Sequence, residues 1–470
     1  MNMNGKLVKS LREAIELSGL KSGMSISFHH HLRNGDYTLN MVMDQIAALG
    51  IRDLTLNASS IFDTHAPLEE HIRSHVVRKI NTNYMSAGLG HRISEGLMEE
   101  PVDFRTHGGR PRDISLGITP IDVAFIAAPS ADCAGNCSGK YGPSACGSLG
   151  YAFPDAMYAK KVIVITDHLV SYPLQGWSIP EIYVDYVVEV DAIGNPQGIV
   201  SGTTKITRDP VGLIMAETAV KVIQHSGLLK DGFSFQTGAG GASLAAAQFL
   251  KEIMVRDGIK GSFASGGITG YLVDMLNAGC FQSLMDVQCF DLKAVESIRT
   301  NPAHQEIGAM QYASPSAASA VVDKLDVVIL GATEVDTDFN VNVHTDSNGY
   351  IMGGSGGHSD TAAGAKLSMI IAPLFRARLP IVTDRVQCIS TPGDTIDVLV
   401  TQRGVAVNPK NQELLLRLKD AGLPVMEIGQ LKEIAEGITG KPARVCHEGR
   451  TVANVIYRDG SVIDTIRSVK

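Results

Sequence analysis

The sequence predicts an α/β protein built as two tandem, similar, open α/β domains with mainly parallel sheets. Three observations predict it. The chain repeats itself in order at a spacing a little above 200 residues. Its strand-length apolar runs are apolar throughout instead of alternating. Glycine is abundant, 48 of 470 residues, about 10% against an average near 7%. At roughly 150 residues per domain, a chain this long has room for two or three cores.

The repeat is read from five anchors. SGLKSGMSISF from Ser18 returns as SGLLKDGFSFQ from Ser226, an offset of 208, and Gly50-Ile51 returns as Gly258-Ile259 at the same offset. IDVAFIAAPSAD around Asp122 matches LDVVILGATEVD around Asp326 at 204, KVIVITDHLVSYP around Asp167 is aligned with RLPIVTDRVQCISTP around Asp384 at 217, and VDYVV from Val184 matches IDVLV from Ile396 at 212. Offsets that drift only by loop lengths indicate a duplicated unit. The predicted boundary lies in TRDP, Thr207 to Pro210, which gives domains 1–208 and 209–470.

DVAFIAA, VIVIT, DVVILGA and LPIVT are short Val/Ile runs separated by helical patterns, the signature of strands buried on both faces of a parallel sheet. In such sheets ligands bind beyond the carboxyl ends of the strands. Two similar halves facing each other would enclose one cleft.

Composition excludes several classes. Lys plus Arg total 41 against 49 Asp plus Glu, a net charge of -8, and no basic run tracks a phosphate backbone, so nucleic acid is not expected as a partner. MNMNGKLVKSLREAIELSGL reads as a surface helix and not as a signal, and no apolar stretch approaches the ~20 residues of a membrane helix. A cytoplasmic protein with no membrane partner is expected. Seven scattered cysteines suit reduced thiols. Cys133, Cys137 and Cys146 share a glycine-rich segment, but no CxxC pair or matching histidine spacing supports zinc, and no metal is expected.

Four segments can carry chemistry. The strand FSFQ runs into TGAGG, Thr237 to Gly241, at a helix start, where backbone N–H groups can meet an anion, although an isolated GxGG is more often a tight turn. GGSGGHSD, Gly353 to Asp360, sits inside a repeat unit and reads as a ligand loop of close backbone approach. HHHLRNGD begins at His29; on a strand at most His29 and His31 share a face, and the loop suits either substrate contact or plain solvation. RTHGGRPRDI places Arg105, His107, Arg110 and Arg112 within eight residues, either as solvated surface or as an anion site.

The repeat, QTGAGG, and ATEVDTDFNVNVHTDSNGYIMGGSGGHSDTAAGAK together resemble the coenzyme A transferase superfamily. Along its whole length the chain is similar to the citrate lyase alpha-subunit type, the citrate:acetyl-acyl-carrier-protein transferases. Relatives open their second domain with Q-x-G-x-G, here Gln236, Gly238 and Gly240. Their GGQ-x-D-F loop corresponds to Gly356, Gly357, His358 and Asp360, with His in place of Gln and Thr361 in place of Phe. Their S-P-x-D-x-x-G segment is echoed by Pro129, Ser130, Asp132 and Gly135. Their nucleophilic glutamate falls on Ser262, in GIKGSFASGG, and a serine cannot form the anhydride and thioester that a carboxylate forms.

The resemblance implies an exchange in which citrate attacks an acetyl thioester directly, giving citryl thioester and acetate. It implies oxyanion stabilisation by N–H groups at Gly240, Gly241, Gly356, Gly357 and His358, with Ser262 lining the acyl pocket. Gln236, Gly238, Gly353, Gly354, Ser355 and Asp360 would run along the thioester carrier; Arg110, Arg112 and His29, His30 and His31 would hold citrate. No tightly bound cofactor is implied: coenzyme A or a phosphopantetheine-type carrier is substrate. An acyl carrier protein, a citryl-lyase subunit and an oligomeric assembly are the implied partners. The rival readings are an acyl-CoA hydrolase or transferase using free coenzyme A, a sugar-phosphate isomerase, and a non-catalytic scaffold.

Overall fold

The computed structural model describes residues 5–200, 205–443 and 445–470. Two large sheets carry the same strand order. In the first, Val102–Phe104, Val77–Thr82, Leu54–Ala58, Ser25–Phe28, Val123–Ala127, Lys161–Thr166 and Tyr186–Glu189 lie side by side, all parallel. In the second, His304–Glu306, Phe281–Cys289, Gly261–Ile268, Phe235–Thr237, Val327–Leu330, Leu367–Ile371 and Val398–Val400 repeat that order, again parallel. The central strands are buried at every position, as their unbroken apolar runs require.

The same local devices recur in both halves. The glycines that follow corresponding helices are left-handed in both halves, Gly19 at φ 73° with Gly227 at 82° and Gly50 at 72° with Gly258 at 68°, where a Cβ would be disfavoured. At the amino end of the sheets, Asp122 accepts the Ser25 N–H at 2.8 Å and Asp326 accepts the Ser234 N–H at 2.9 Å. Each carboxylate is also paired to a lysine at 2.8 Å, Lys160 and Lys366. The second unit opens at the helix Pro210–His225, capped by Asp209 with proline in the first turn.

Two expectations need correction. The partner of Lys161–Thr166 is Leu367–Ile371, not LPIVT, whose residues form short strands of separate small sheets. The C-terminal segment does not stay with residues 209–470. Thr451–Ile456 pairs in parallel with Val102–Phe104, and Val462–Arg467 closes an antiparallel hairpin on it, so the first sheet gains two strands from the end of the chain. The edge of Val102–Phe104 is thereby covered, which removes unpaired backbone groups. Among the described residues no helix is long and apolar enough to cross a membrane.

Candidate active site

The carboxyl ends of the two sheets face each other. Gln288, at the end of Phe281–Cys289, donates its Nε2 to the His30 carbonyl at 2.9 Å, and Glu306 accepts the Leu149 N–H at 2.6 Å. The loops that follow the strands meet there, as an open parallel sheet dictates.

The glycine loop lies along the junction. Gly353 accepts the Met85 N–H at 3.2 Å, Gly356 donates to the Asn83 carbonyl at 3.2 Å, and the Gly356 carbonyl accepts the His107 N–H at 2.8 Å. A Cβ at Gly354 would stand 2.2 Å from the Asn83 carbonyl oxygen, so the close approach is first of all to the other half of the chain. A Cβ at Gly357 would stand 2.7 Å from the Tyr312 hydroxyl, which receives Gln236 Nε2 at 2.8 Å. Gly266 completes this corner, since a Cβ there would lie 2.7 Å from the Gln236 amide. Gln236 Oε1 is buried without a hydrogen-bond partner among the described residues.

Beside it, Gly238 donates to the Ile329 carbonyl at 2.9 Å, while Gly240 is exposed and begins the 17-residue helix Gly241–Asp257 without a side-chain cap. Among the described residues the first-turn N–H groups of Gly241, Ala242 and Ser243 make no hydrogen bond, and such groups can meet an anion or an oxyanion.

The three histidines are buried. His29 Nε2 accepts the Ala127 N–H at 3.0 Å, His31 Nε2 accepts the Tyr151 N–H at 3.2 Å, and their Nδ1 atoms face each other. His29 and His31 thus share a face, as period-two geometry requires. His30 points elsewhere, to Ser59 Oγ at 2.6 Å, and stacks on Tyr151 at 4.7 Å and on His107 at 5.7 Å. Burial, with Arg110 nearby, pushes the His107 imidazolium down to about 3; burial pushes His29 down to about 4, the Asp36 charge opposing. His30 and His31 are lowered for the same first cause. At neutral pH the cluster supplies uncharged hydrogen-bonding imidazoles, and His107 Nδ1 has no partner among the described residues.

Several expected site residues are placed otherwise. Arg110 is buried against Asp155 at 2.9 Å, so its charge is already matched. Arg112 pairs with Asp113 at 2.5 Å and lies 2.8 Å from where a Gly460 Cβ would be, on the C-terminal hairpin. Ser262 stands at the amino end of its strand, its hydroxyl donating to the Gly232 carbonyl at 2.8 Å. Ala264, two residues further on, is level with Phe235, so Ser262 is at the far end from Gln236. His358 is spent on Thr391 Oγ1 at 2.8 Å and the Gly331 carbonyl at 2.9 Å. Asp360 is fully buried and accepts the Gly108 N–H at 2.8 Å and the Thr106 hydroxyl at 2.9 Å, a tether between halves and not a carrier contact. Ser355 is buried, its carbonyl accepting the His358 N–H at 2.8 Å.

Three glutamates could have supplied a nucleophile, and each is engaged elsewhere. Glu296 is paired to Arg299; Glu306 is held by Leu149, Ser178 at 2.8 Å and Lys140 at 3.1 Å; Glu334 accepts Asn342 Nδ2 at 3.1 Å and the Gln387 N–H at 2.9 Å. Among the described residues the one convergence of metal-ligating types is Asp286, Cys289 and His304. There Asp286 Oδ2 accepts His304 Nε2 and the Cys289 thiol, both at 2.9 Å, so a buried hydrogen-bonded trio accounts for it. Arg33, Tyr84, Tyr151 and Tyr312 gather at the junction and were not expected from local sequence.

Two parallel sheets of identical order, meeting at their carboxyl ends in a glycine-rich junction, define an α/β protein of the coenzyme A transferase type. A family model described as "Citrate lyase, alpha subunit (CitF)" matches residues 4–469, and the chain belongs to that family. It is 51% identical over 465 residues to the citrate lyase alpha chain of Klebsiella pneumoniae, covering 99% of this chain and 92% of the relative. It is 49% identical to that of Escherichia coli K12, covering 99% and 91%. A Streptococcus mutans crystal structure assigned as the alpha subunit of citrate lyase in complex with citrate superposes with a TM-score of 0.97 at 49% identity, over 99% of this chain and 92% of that one. A malonate decarboxylase alpha subunit from Acinetobacter baumannii shares the fold, at a TM-score of 0.69 and 18% identity over 93% and 96% of the two chains.

Proposed function

We propose that the chain is a transferase that exchanges the acetyl group of an acetyl thioester for citrate, releasing acetate and leaving citryl thioester on the carrier. The observation that carries this reading is the convergence of Gln236, Tyr312 and Gly357 with the buried histidines across one junction, in a chain of the citrate lyase alpha-subunit family. The thioester thiol belongs to an acyl carrier protein or to coenzyme A as substrate, and the chain works in the cytoplasm beside a citryl-lyase subunit.

A citrate carboxylate oxygen attacks the acetyl carbonyl, the thiolate leaves, and a citryl–acetyl anhydride forms. The thiolate then attacks the citryl carbonyl and acetate departs. The chain supplies no nucleophile, only position, oxyanion stabilisation and exclusion of water. In the glycine loop the Gly356 and His358 N–H groups are spent on the Asn83 and Ser355 carbonyls. The Gly357 N–H is therefore assigned to one oxyanion and the helix start at Gly240 and Gly241 to the other. A well-aimed donor of this kind contributes about 3 kcal/mol.

The test is simple: purified chain, acetyl-CoA and citrate, with no lyase partner. Acetate formed in proportion to citryl-CoA supports transfer. Acetate without citryl-CoA indicates a hydrolase, and neither product indicates a scaffold.

A further inference from the structure

We propose that Arg33 is the receptor for a carboxylate group of the acceptor acid that does not react, and that it makes the cleft selective for polycarboxylic acids over monocarboxylates. The inference deepens the transferase reading above and rests on it.

Among the described residues each guanidinium around this junction has a carboxylate within 4 Å, Arg33 excepted; Arg458 Nε, like Arg33 Nη1, lacks a hydrogen bond, but it faces Asp360. Arg105 is paired to Asp113 at 2.8 Å, Arg110 to Asp155 at 2.9 Å, Arg112 to Asp113 at 2.5 Å, and Arg458 lies 3.5 Å from Asp360. Arg33 Nη1 is buried and has no hydrogen-bond partner among the described residues. Its charge is flanked by rings instead, Phe62 at 5.6 Å and Phe290 at 4.7 Å from Cζ to centroid. Rings soften the loss of water but do not neutralise a cation. Burial accordingly lowers the Arg33 pKa, against the Tyr84 and Tyr151 hydroxyls.

The backbone is also held in an unfavourable state. Arg33 has φ 53°, in the left-handed region that a residue with a Cβ seldom enters. A partly buried guanidinium with no carboxylate near it among the described residues, on a left-handed backbone, is a combination found at binding sites.

Position and chemistry agree. Phe62 and the Tyr84 and Tyr151 neighbours come from the first half and Phe290 from the second. Phe290 is also the ring that a Cβ at Gly267 would strike, and Gly266 beside it adjoins Gln236. Arg33 and Tyr312 both act on the Tyr151 hydroxyl, so Arg33 is joined through Tyr151 to the corner where the thioester is placed. The histidines nearby are uncharged and cannot balance a second or third carboxylate. A guanidinium can, through two parallel N–H···O bonds.

The test compares the full-length wild type with Arg33→Gln and Arg33→Lys. In Arg33→Gln, the citrate KM rises about ten- to a hundredfold while the acetyl-CoA KM stays within about twofold. Citrate no longer raises its thermal midpoint, and the unliganded midpoint is equal to or above that of wild type. Its preference for citrate over propionate as acceptor narrows. Arg33→Lys keeps charge without the fork and falls between. A citrate KM within threefold of wild type in Arg33→Gln, an equal rise in the acetyl-CoA KM, or an unliganded midpoint lowered by several degrees overturns the assignment. A wild type that binds citrate but transfers nothing refutes the transferase reading while the citrate-binding comparison still decides the role of Arg33.

Discussion

Asp360 Oδ2 accepts the backbone N–H of Gly108 at 2.8 Å, joining the second half of the chain to the first. The carboxylate is wholly buried and burial pushes it up to about 6, the Gly108 N–H, Arg458 and Thr106 opposing. The folded chain therefore holds this proton more tightly than the unfolded one, whose carboxyl lies near 3.9. The stability contributed by the neutral form is fully present below about pH 4 and is lost as pH rises through 6. Between pH 4 and 7 the midpoint of wild type should fall relative to Asp360→Asn by the equivalent of about 2 kcal/mol. A difference that is flat with pH would mean that Asp360 stays ionised throughout.

A side chain at Gly357 meets one atom first, the Tyr312 hydroxyl at 2.7 Å. Gly357 has φ -92°, so alanine is not strained by its backbone. Gly357→Ala should cost about 1 to 3 kcal/mol and most of the transfer rate. In a Tyr312→Phe background the same change should cost less than about 0.5 kcal/mol, because the struck atom is gone. Equal costs in both backgrounds would place the clash elsewhere.

Arg110 and Arg112 separate by what each leaves behind. Arg110→Ala strips a buried Asp155 of its partner and should destabilise by about 3 to 5 kcal/mol. Arg112→Ala loosens Asp113 and the Gly460 turn, costs about 1 kcal/mol, and leaves the citrate KM unchanged. A large rise in the citrate KM for Arg112→Ala, at unchanged stability, would return it to the site.

The duplicated sheets were legible because buried parallel strands must be apolar on both faces, and VAFIA, VIVIT and VVIL announce that without any alternation. The match of VIVIT to LPIVT failed because both precede a Thr-Asp pair, while the true counterpart, LSMII, precedes Ala-Pro. The C-terminal hairpin was illegible as part of the first sheet, since edge pairing with Val102–Phe104 spans some 350 positions. The two arginines were read as one cationic loop, but Gly109–Ser115 is a helix, and residues two apart on a helix face different ways. The value of Arg33 is invisible locally because it consists in having no partner, a property of the whole junction.

Direct transfer is tested most sharply by a single turnover with acetyl-CoA and citrate labelled with 18O in its carboxylates. Attack by citrate leaves the bridging anhydride oxygen on acetate, so acetate from the first turnover carries one 18O and no glutamate is labelled. Unlabelled acetate in the first turnover, with 18O appearing on an enzyme glutamate, would contradict the absence of a covalent intermediate.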